Sequence, residues 1–132
     1  MKQFGLSKNE RIKSKKEFSL VYTKGSVLFS SCKKLKANYY SLSSSENTGI
    51  KVAFGVHRKS GKAVWRNRIK RLLRTAVRLN KKNIAETCAS KNKLLLIVFS
   101  PYGINQQNNK TVCLRDVEPD VIELMQKVNA NL

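Results

Sequence analysis

Acidic side chains are the scarce class in this chain of 132 residues: eight Asp and Glu stand against 27 Lys and Arg, for a formal net charge of +19. Metal-assisted phosphodiester hydrolysis by a protein needs several carboxylates converging on two ions about 3.5–4 Å apart. The acids here are Glu10, Glu17, Glu46, Glu86 and a cluster from Asp116 to Glu123, with no D-x-D or H-x-x-E spacing among them. The plain reading of that cluster is charge complementing the N-terminus of a last helix. Histidine occurs once, at His57, which excludes a two-histidine acid–base mechanism. Gly55 and Gly61 fit neither a phosphate-binding loop nor a dinucleotide fingerprint. The expectation is a chain with no catalytic and no metal-binding residues of its own.

Cysteine is also sparse. Cys32, Cys88 and Cys113 are odd in number and far apart, with no C-x-x-C spacing. That pattern fits reduced thiols in a cytoplasmic protein and neither a disulfide frame nor a zinc site. The longest apolar run, Leu94 to Phe99, is strand-sized and falls far short of a membrane span. The opening segment MKQFGLSKNERIKSKKEF has no apolar signal core, so no export is expected.

What the chain does have is enough apolar surface for a core and a great deal of positive charge. With 41% hydrophobic residues it reads as one domain over 1–132, including a basic N-terminal tail over about 1–13. So much like charge on one small domain is self-repelling. A polyanionic partner relieves that repulsion; nucleic acid is the first candidate and an anionic membrane surface a distant second. The charge is also segregated. From Asn47 through Ala85 there is no acid, while eleven Lys and Arg fall between Arg58 and Lys82. A solvated helix normally interleaves both signs, since opposite charges at i,i+4 stabilise it by about 0.2–0.5 kcal/mol per pair. The middle of this chain forgoes those pairs, as a phosphate-facing surface would.

Periodicity supplies the elements. Ser14 and Glu17 have capping-box spacing, Phe18, Val21 and Tyr22 follow at helical spacing, and Gly25 is a stop signal, which predicts a helix over 15–24. Val27 to Phe29 and Leu35 to Leu42 read as strands, with a polar turn over 43–47. Ile50, Val52, Phe54 and Val56 alternate with more polar or smaller residues, the pattern of a half-buried strand. After Ser60-Gly61 a long helix is expected over 62–81. At about 100° per residue, Trp65, Ile69, Leu72, Leu73, Ala76 and Leu79 form its core stripe. Asn67, Lys70, Arg71, Arg74 and Arg78 point away, and Arg66 and Arg68 flank the stripe about 200° apart. Lys93 to Phe99 reads as a central strand, Pro101 to Asp116 as a loop, and a last helix opens near Glu118 to Asp120. The order is α-β-β-β-α-β-α: an α+β two-layer sandwich, helices packed on a small mixed sheet.

The segment Phe54 to Arg78, FGVHRKSGKAVWRNRIKRLLRTAVR, resembles the signature of the bacterial ribonuclease P protein component. The pattern is a strand, a basic pair, a glycine, Lys-Ala-Val, then Arg-Asn-Arg with Lys-Arg two positions on. It covers some 25 contiguous residues; weaker similarity runs upstream through Glu17-Phe18, Val21-Tyr22 and Gly25, and is thin beyond residue 100. The resemblance implies the protein subunit of a ribonucleoprotein endonuclease that removes 5′ leaders from precursor tRNA. In that family the RNA subunit, with Mg²⁺ held mainly by its own phosphates, is the catalyst, and no organic cofactor is involved. The implied partners are the ribonuclease P RNA and precursor tRNA, with no membrane and no DNA.

Residue by residue, the resemblance places catalytic-RNA contacts on Arg58, Lys59, Lys62, Arg66, Asn67, Arg68, Lys70, Arg71 and Arg74. At Arg58 the family more often has lysine. Leader contacts fall on Phe18 and Tyr22 of the first helix and on Asn38 and Tyr40 of the sheet. Tyr40 is the preferred leader residue; Phe18 reads equally as core, and Asn38 stands where the pattern has an apolar residue. His57 reads as a strand-end polar residue or an RNA contact. A structural RNA-binding protein of related α+β fold, such as a ribosomal protein, is the alternative, and only the Arg-Asn-Arg segment argues against it. A duplex-DNA reader would need a few base-reading side chains on one helix face, whereas this helix is basic nearly all round.

Overall fold

The computed structural model describes residues 11–12, 15–43 and 48–132. Most of the expected basic tail, the Ser14 end of the capping box and the polar turn at 44–47 lie outside those residues. Four strands form one sheet in the order β1-β2-β4-β3, with β1 Ser26–Phe29, β2 Leu35–Ser43, β3 Gly49–Phe54 and β4 Lys93–Pro101. The helices are α1 Lys15–Lys24, α2 Ala63–Asn80, α3 Lys82–Ser90 and α4 Leu114–Ala130, with a 3-10 turn at Arg58–Ser60.

β4 is central, and residues Leu95 to Ser100 are all buried, which is why its sequence is apolar without alternation. It pairs antiparallel with β2 (Ala37 opposite Phe99) and parallel with β3 (Val52 opposite Ile97). A parallel neighbour cannot be reached by a tight turn, and α2 with α3 supplies the crossover from β3 to β4. The middle helical segment is therefore two helices. α3, which the sequence pattern did not separate from its surroundings, buries Ile84 and Cys88.

The pleat divides the core in two. On one face Leu35, Ala37, Ile50, Val52, Leu95, Ile97 and Phe99 pack with buried residues of α2, α3 and α4. On the other, Leu96 and Val98 pack with Val21 of α1 and with Ile12. Ile12 N–H donates to the Val52 carbonyl at 3.0 Å, so the end of the expected tail is laid along β3. α1 stops where Gly25 follows it; a Cβ there would collide with the Val21 and Tyr39 carbonyl oxygens.

Two sequence expectations are corrected. Along α2 the buried set is Trp65, Ile69, Leu73, Ala76 and Val77, whereas Leu79 is 43% exposed. Sheet, α3 and α4 together cover an arc that reaches Val77, and Leu79 lies at its other edge near the helix end. The last helix begins at Leu114 rather than near Asp120, so Pro119 sits inside it. The Asp116 carboxylate accepts from Cys113 N–H at 2.8 Å, a capping contact that starts the helix early and lets Val117 enter the core. Pro119 then costs one helical hydrogen bond in the second turn.

Leu73→Ala should lower unfolding free energy by about 2–5 kcal/mol in urea titration, the range for truncating a fully buried leucine. Leu79→Ala should change it by no more than about 0.5 kcal/mol, as surface substitutions do.

Candidate nucleic-acid interface

α2 has no acid in its first turn and no side-chain cap at its N-terminus. Arg58, Lys59, Lys62, Asn67, Arg68, Arg71 and Arg74 are exposed, and Arg66 and Lys70 half-buried. Arg66 and Arg68 leave the helix on opposite sides, as their spacing requires. Arg66 Nε donates to the Gly61 carbonyl before the helix, and Arg68 Nε to the Val112 carbonyl of the segment before α4, each at 3.1 Å. Both guanidinium groups are thereby aimed by backbone, which lowers the entropy lost when they meet a phosphate.

The Asn- and Gln-rich segment after β4 braces this helix. Gln106 Oε1 accepts from Lys62 N–H at 2.7 Å, and Gln106 N–H donates to the Ser60 carbonyl at 2.7 Å. Trp65 Nε1 donates to the Asn109 carbonyl at 2.9 Å. The fit is close: a Cβ on Gly61 would lie 2.8 Å from both Gln106 Cβ and Trp65 Cε3. On the other side of the turn His57 Nδ1 accepts from Lys59 N–H at 3.1 Å, which caps the 3-10 turn. Between turn and segment lies an open cleft of about 610 Å³ with Arg58, Lys59, Lys62 and Lys110 on its walls. Lys110 was not among the residues singled out from sequence, since nothing local to it signals the proximity.

The second surface is the sheet face under α1. Lys51 Nζ meets Glu17 Oε2 at 2.9 Å and pins α1 to β3. Tyr22, 53% exposed, lines a depression of about 310 Å³ with Lys36, His57, Ser100 and Pro101. Its hydroxyl lies over Gly55, and desolvation raises its pKa, so the phenol is neutral and able to donate. Phe18, one turn earlier, lines a second depression of about 280 Å³ together with Phe54, Lys70 and Arg74. Phe18 of the first helix and the basic helix, far apart in sequence, thus share a wall.

Tyr40 and Asn38 are placed differently. Tyr40 packs against the smaller core and lines neither depression. Asn38 is half-buried with its Oδ1 enclosed and without a hydrogen-bond partner. Lys36 is the sheet residue that reaches the cleft beside Tyr22. Strand alternation would have found it, because it shares a face with Asn38 and Tyr40. Among the described residues no three His, Cys, Asp or Glu side chains converge as metal ligands. No described helix is long and apolar enough to cross a membrane.

A family model described as Ribonuclease P matches residues 6–125. The chain is 31% identical over 122 residues to the ribonuclease P protein component of Clostridium novyi, covering 92% of this chain and 96% of that one. It is 35% identical over 75 residues to the component from Finegoldia magna, covering 57% and 61% respectively. Over the curated relatives matched first, from Finegoldia magna, Exiguobacterium sibiricum and Maridesulfovibrio salexigens, the chain spans 61–66% of their length. Among solved structures, the RNase P protein of Thermotoga maritima superimposes with a TM-score of 0.68 at 21% identity, covering 89% of this chain and 98% of that one. The Staphylococcus aureus protein does so with 0.63 at 21% identity, covering 90% and 94%.

Gln106→Ala removes the bond to Lys62 N–H and should cost about 0.5–1.5 kcal/mol of stability by urea titration. Exposed Gln107→Ala is the control and should cost nothing measurable. Equal losses from the two would remove the bracing role of Gln106.

Proposed function

We propose, from the premise that this chain belongs to the ribonuclease P protein family, that it is the protein subunit of a ribonucleoprotein endonuclease that trims the 5′ leader of precursor tRNA. The observation that carries this reading is the shared depression in which Phe18 of α1 meets Lys70 and Arg74 of α2. An aromatic surface for unpaired bases and a cationic surface for structured RNA adjoin there, as they must where a leader passes a catalytic RNA. Arg58, Lys59, Lys62, Arg66, Asn67, Arg68, Lys70, Arg71 and Arg74 take the RNA subunit. Phe18 and Tyr22, with Asn38 and Tyr40 beneath, take the leader.

The chain's own work is electrostatic and positional. Two RNAs repel each other at contact, and a fixed cationic face between them releases counterions and relieves that repulsion. Tyr22 offers a neutral hydroxyl and a ring to an unpaired nucleotide, and stacking is tolerant of sequence. On this reading Mg²⁺ is held by RNA phosphates. When bound there it supplies the activated water and the stabilised leaving oxygen.

The test is cleavage of precursor tRNA by the cognate RNA subunit at low Mg²⁺, with and without the protein, beside a protein-only control. Restored cleavage that needs both components is the expected result. Tight RNA binding without stimulation would instead favour a purely structural RNA-binding role. Within the active complex, Arg71→Ala should weaken assembly and make the slope of log affinity against log salt shallower by about 0.7–0.9, with the melting temperature unchanged. Tyr22→Ala should weaken binding of leader-bearing precursor by about 1–3 kcal/mol and leave mature tRNA binding as it was.

A further inference from the structure

Beyond Lys36 the sheet face does not end. Val27 lies opposite Asn38 and Phe29 opposite Lys36, so both β1 side chains share the face that carries Tyr22's depression. Val27 and Phe29 are 41% and 36% exposed, and Tyr102 is 56% exposed. Phe29 and Tyr102 meet edge to face with ring centroids 4.7 Å apart. Of the six exposed large apolar side chains among the described residues, four lie along this one surface: Tyr22, Val27, Phe29 and Tyr102. Single exposed apolar residues need no explanation, but four gathered on one surface do.

The strip is rigidly mounted. Tyr102 N–H donates to the Lys34 carbonyl at 2.8 Å and Gly103 N–H to the same oxygen at 3.1 Å. Lys127 Nζ donates to the Phe29 carbonyl at 3.1 Å. Its surroundings are cationic: Lys33 and Lys34 form the turn beneath Tyr102, and Lys36 stands opposite Phe29. The carboxylates that meet the β1–β2 turn are engaged: Glu123 by Ser31 Oγ at 2.6 Å and Lys127 at 2.8 Å, and Asp120 by Ser30 and Cys32.

We infer that Phe29 and Tyr102 form a second stacking platform for single-stranded RNA, continuing the leader path from Tyr22 across the sheet edge. The inference rests on the ribonuclease P reading and adds to it where the upstream nucleotides go. Neighbouring strands are about 4.8 Å apart, so the platform lies one step past Lys36 and receives the one or two nucleotides beyond those in the cleft. The charge argues for this occupant. A polyanion with exposed π-faces suits aromatics ringed by lysines, whereas a second copy of this chain would bring another +19.

The experiment uses the reconstituted complex and a series of precursor tRNAs whose leaders are shortened one nucleotide at a time. Affinity of the native protein should climb with leader length and then level off. With Tyr102→Ala the plateau should arrive one or two nucleotides earlier and lie at least about fivefold lower, the small end of what one stacked base contributes. Tyr102→Phe should restore the native curve, and Tyr102→Ala should leave the salt dependence unchanged, because stacking releases no counterions. Tyr102 is 56% exposed against 36% for Phe29, so its truncation is the one that leaves the fold intact. An unchanged plateau, or an equal loss at every leader length including mature tRNA, would overturn the platform. So would a self-association in sedimentation that Tyr102→Ala abolishes. Failure of even the shortest-leader precursor to be cleaved would instead overturn the ribonuclease P reading, and the platform with it.

Discussion

The parallel pairing of β3 with β4 is the constraint on which the basic surfaces depend. With Phe54 opposite Phe99, the two strands end at the same edge of the sheet. Whatever follows them emerges side by side: the Arg58–Ser60 turn and Lys62 after β3, the segment carrying Gln106 and Lys110 after β4. β2, antiparallel to β4, starts at that edge, with Leu35 opposite Pro101, and β1 finishes there. One end of the sheet therefore gathers Lys33, Lys34, Lys36, Arg58, Lys59, Lys62 and Lys110 from separate stretches of chain. Parallel pairing also demands a long crossover, and that crossover contains α2 and α3. Ligands of open sheets with parallel strands commonly bind outside the strand C-termini, and the cationic rim occupies that position.

Such a rim persists only if nothing nearby neutralises it, and α4 shows how the acids are kept away. Each carboxylate of its cluster is engaged locally. Asp116 caps its own helix, and Glu118 accepts from Asn80 Nδ2 at 3.1 Å. Buried Asp120 accepts from Ser30 Oγ and from Cys32 Sγ, each at 3.1 Å, and so ties the β1–β2 turn to the helix. Glu123 is held below the usual carboxylate range by hydrogen bonds from Lys127 and Ser31. Its contribution to stability is complete above the unfolded carboxylate pKa and fades as pH falls through the depressed value. The helix-dipole reading of this cluster accounts for Asp116 alone. The other three acids fasten α4 to its neighbours, a role visible only once the chain is folded.

Much of this was legible in the sequence, for a definite reason. Where one force acts alone along a segment, its period shows: β3 alternates because one face is buried, and β4 does not because both are. The acid-free basic run likewise marked α2. Features that depend on two distant segments left no local trace. Gln106 and Asn109 look like loop residues, yet they complete the N-terminal turn of α2 and the Trp65 indole. Proline at 119 reads as a helix start, because the early cap from Asp116 is a matter of geometry. Tyr40 and Lys36 differ by four positions on one strand, and both lie on its α1 face. What separates them is α1, which covers Tyr40 and stops short of Lys36.

That last difference follows from widths. Four strands at about 4.8 Å spacing make a sheet somewhat under 20 Å wide, and a single helix is about 10–12 Å across. α2, α3 and α4 together close one face, but α1 is alone on the other and only ten residues long. Val21 packs over Leu96 and Val98 of β4, Tyr40 and Leu42 of β2 join that cluster, and Glu17 reaches Lys51 on β3. The edge strand β1 and the Lys36 end of β2 contribute nothing to that cluster. An ordinary solvent-facing strip there would be polar. Instead the chain places Val27, Phe29 and Tyr102 on it, with lysines at the border. An apolar surface left uncovered beside a strong positive field is poorly suited to water and to another cationic protein. It suits an extended polyanion whose bases are unpaired.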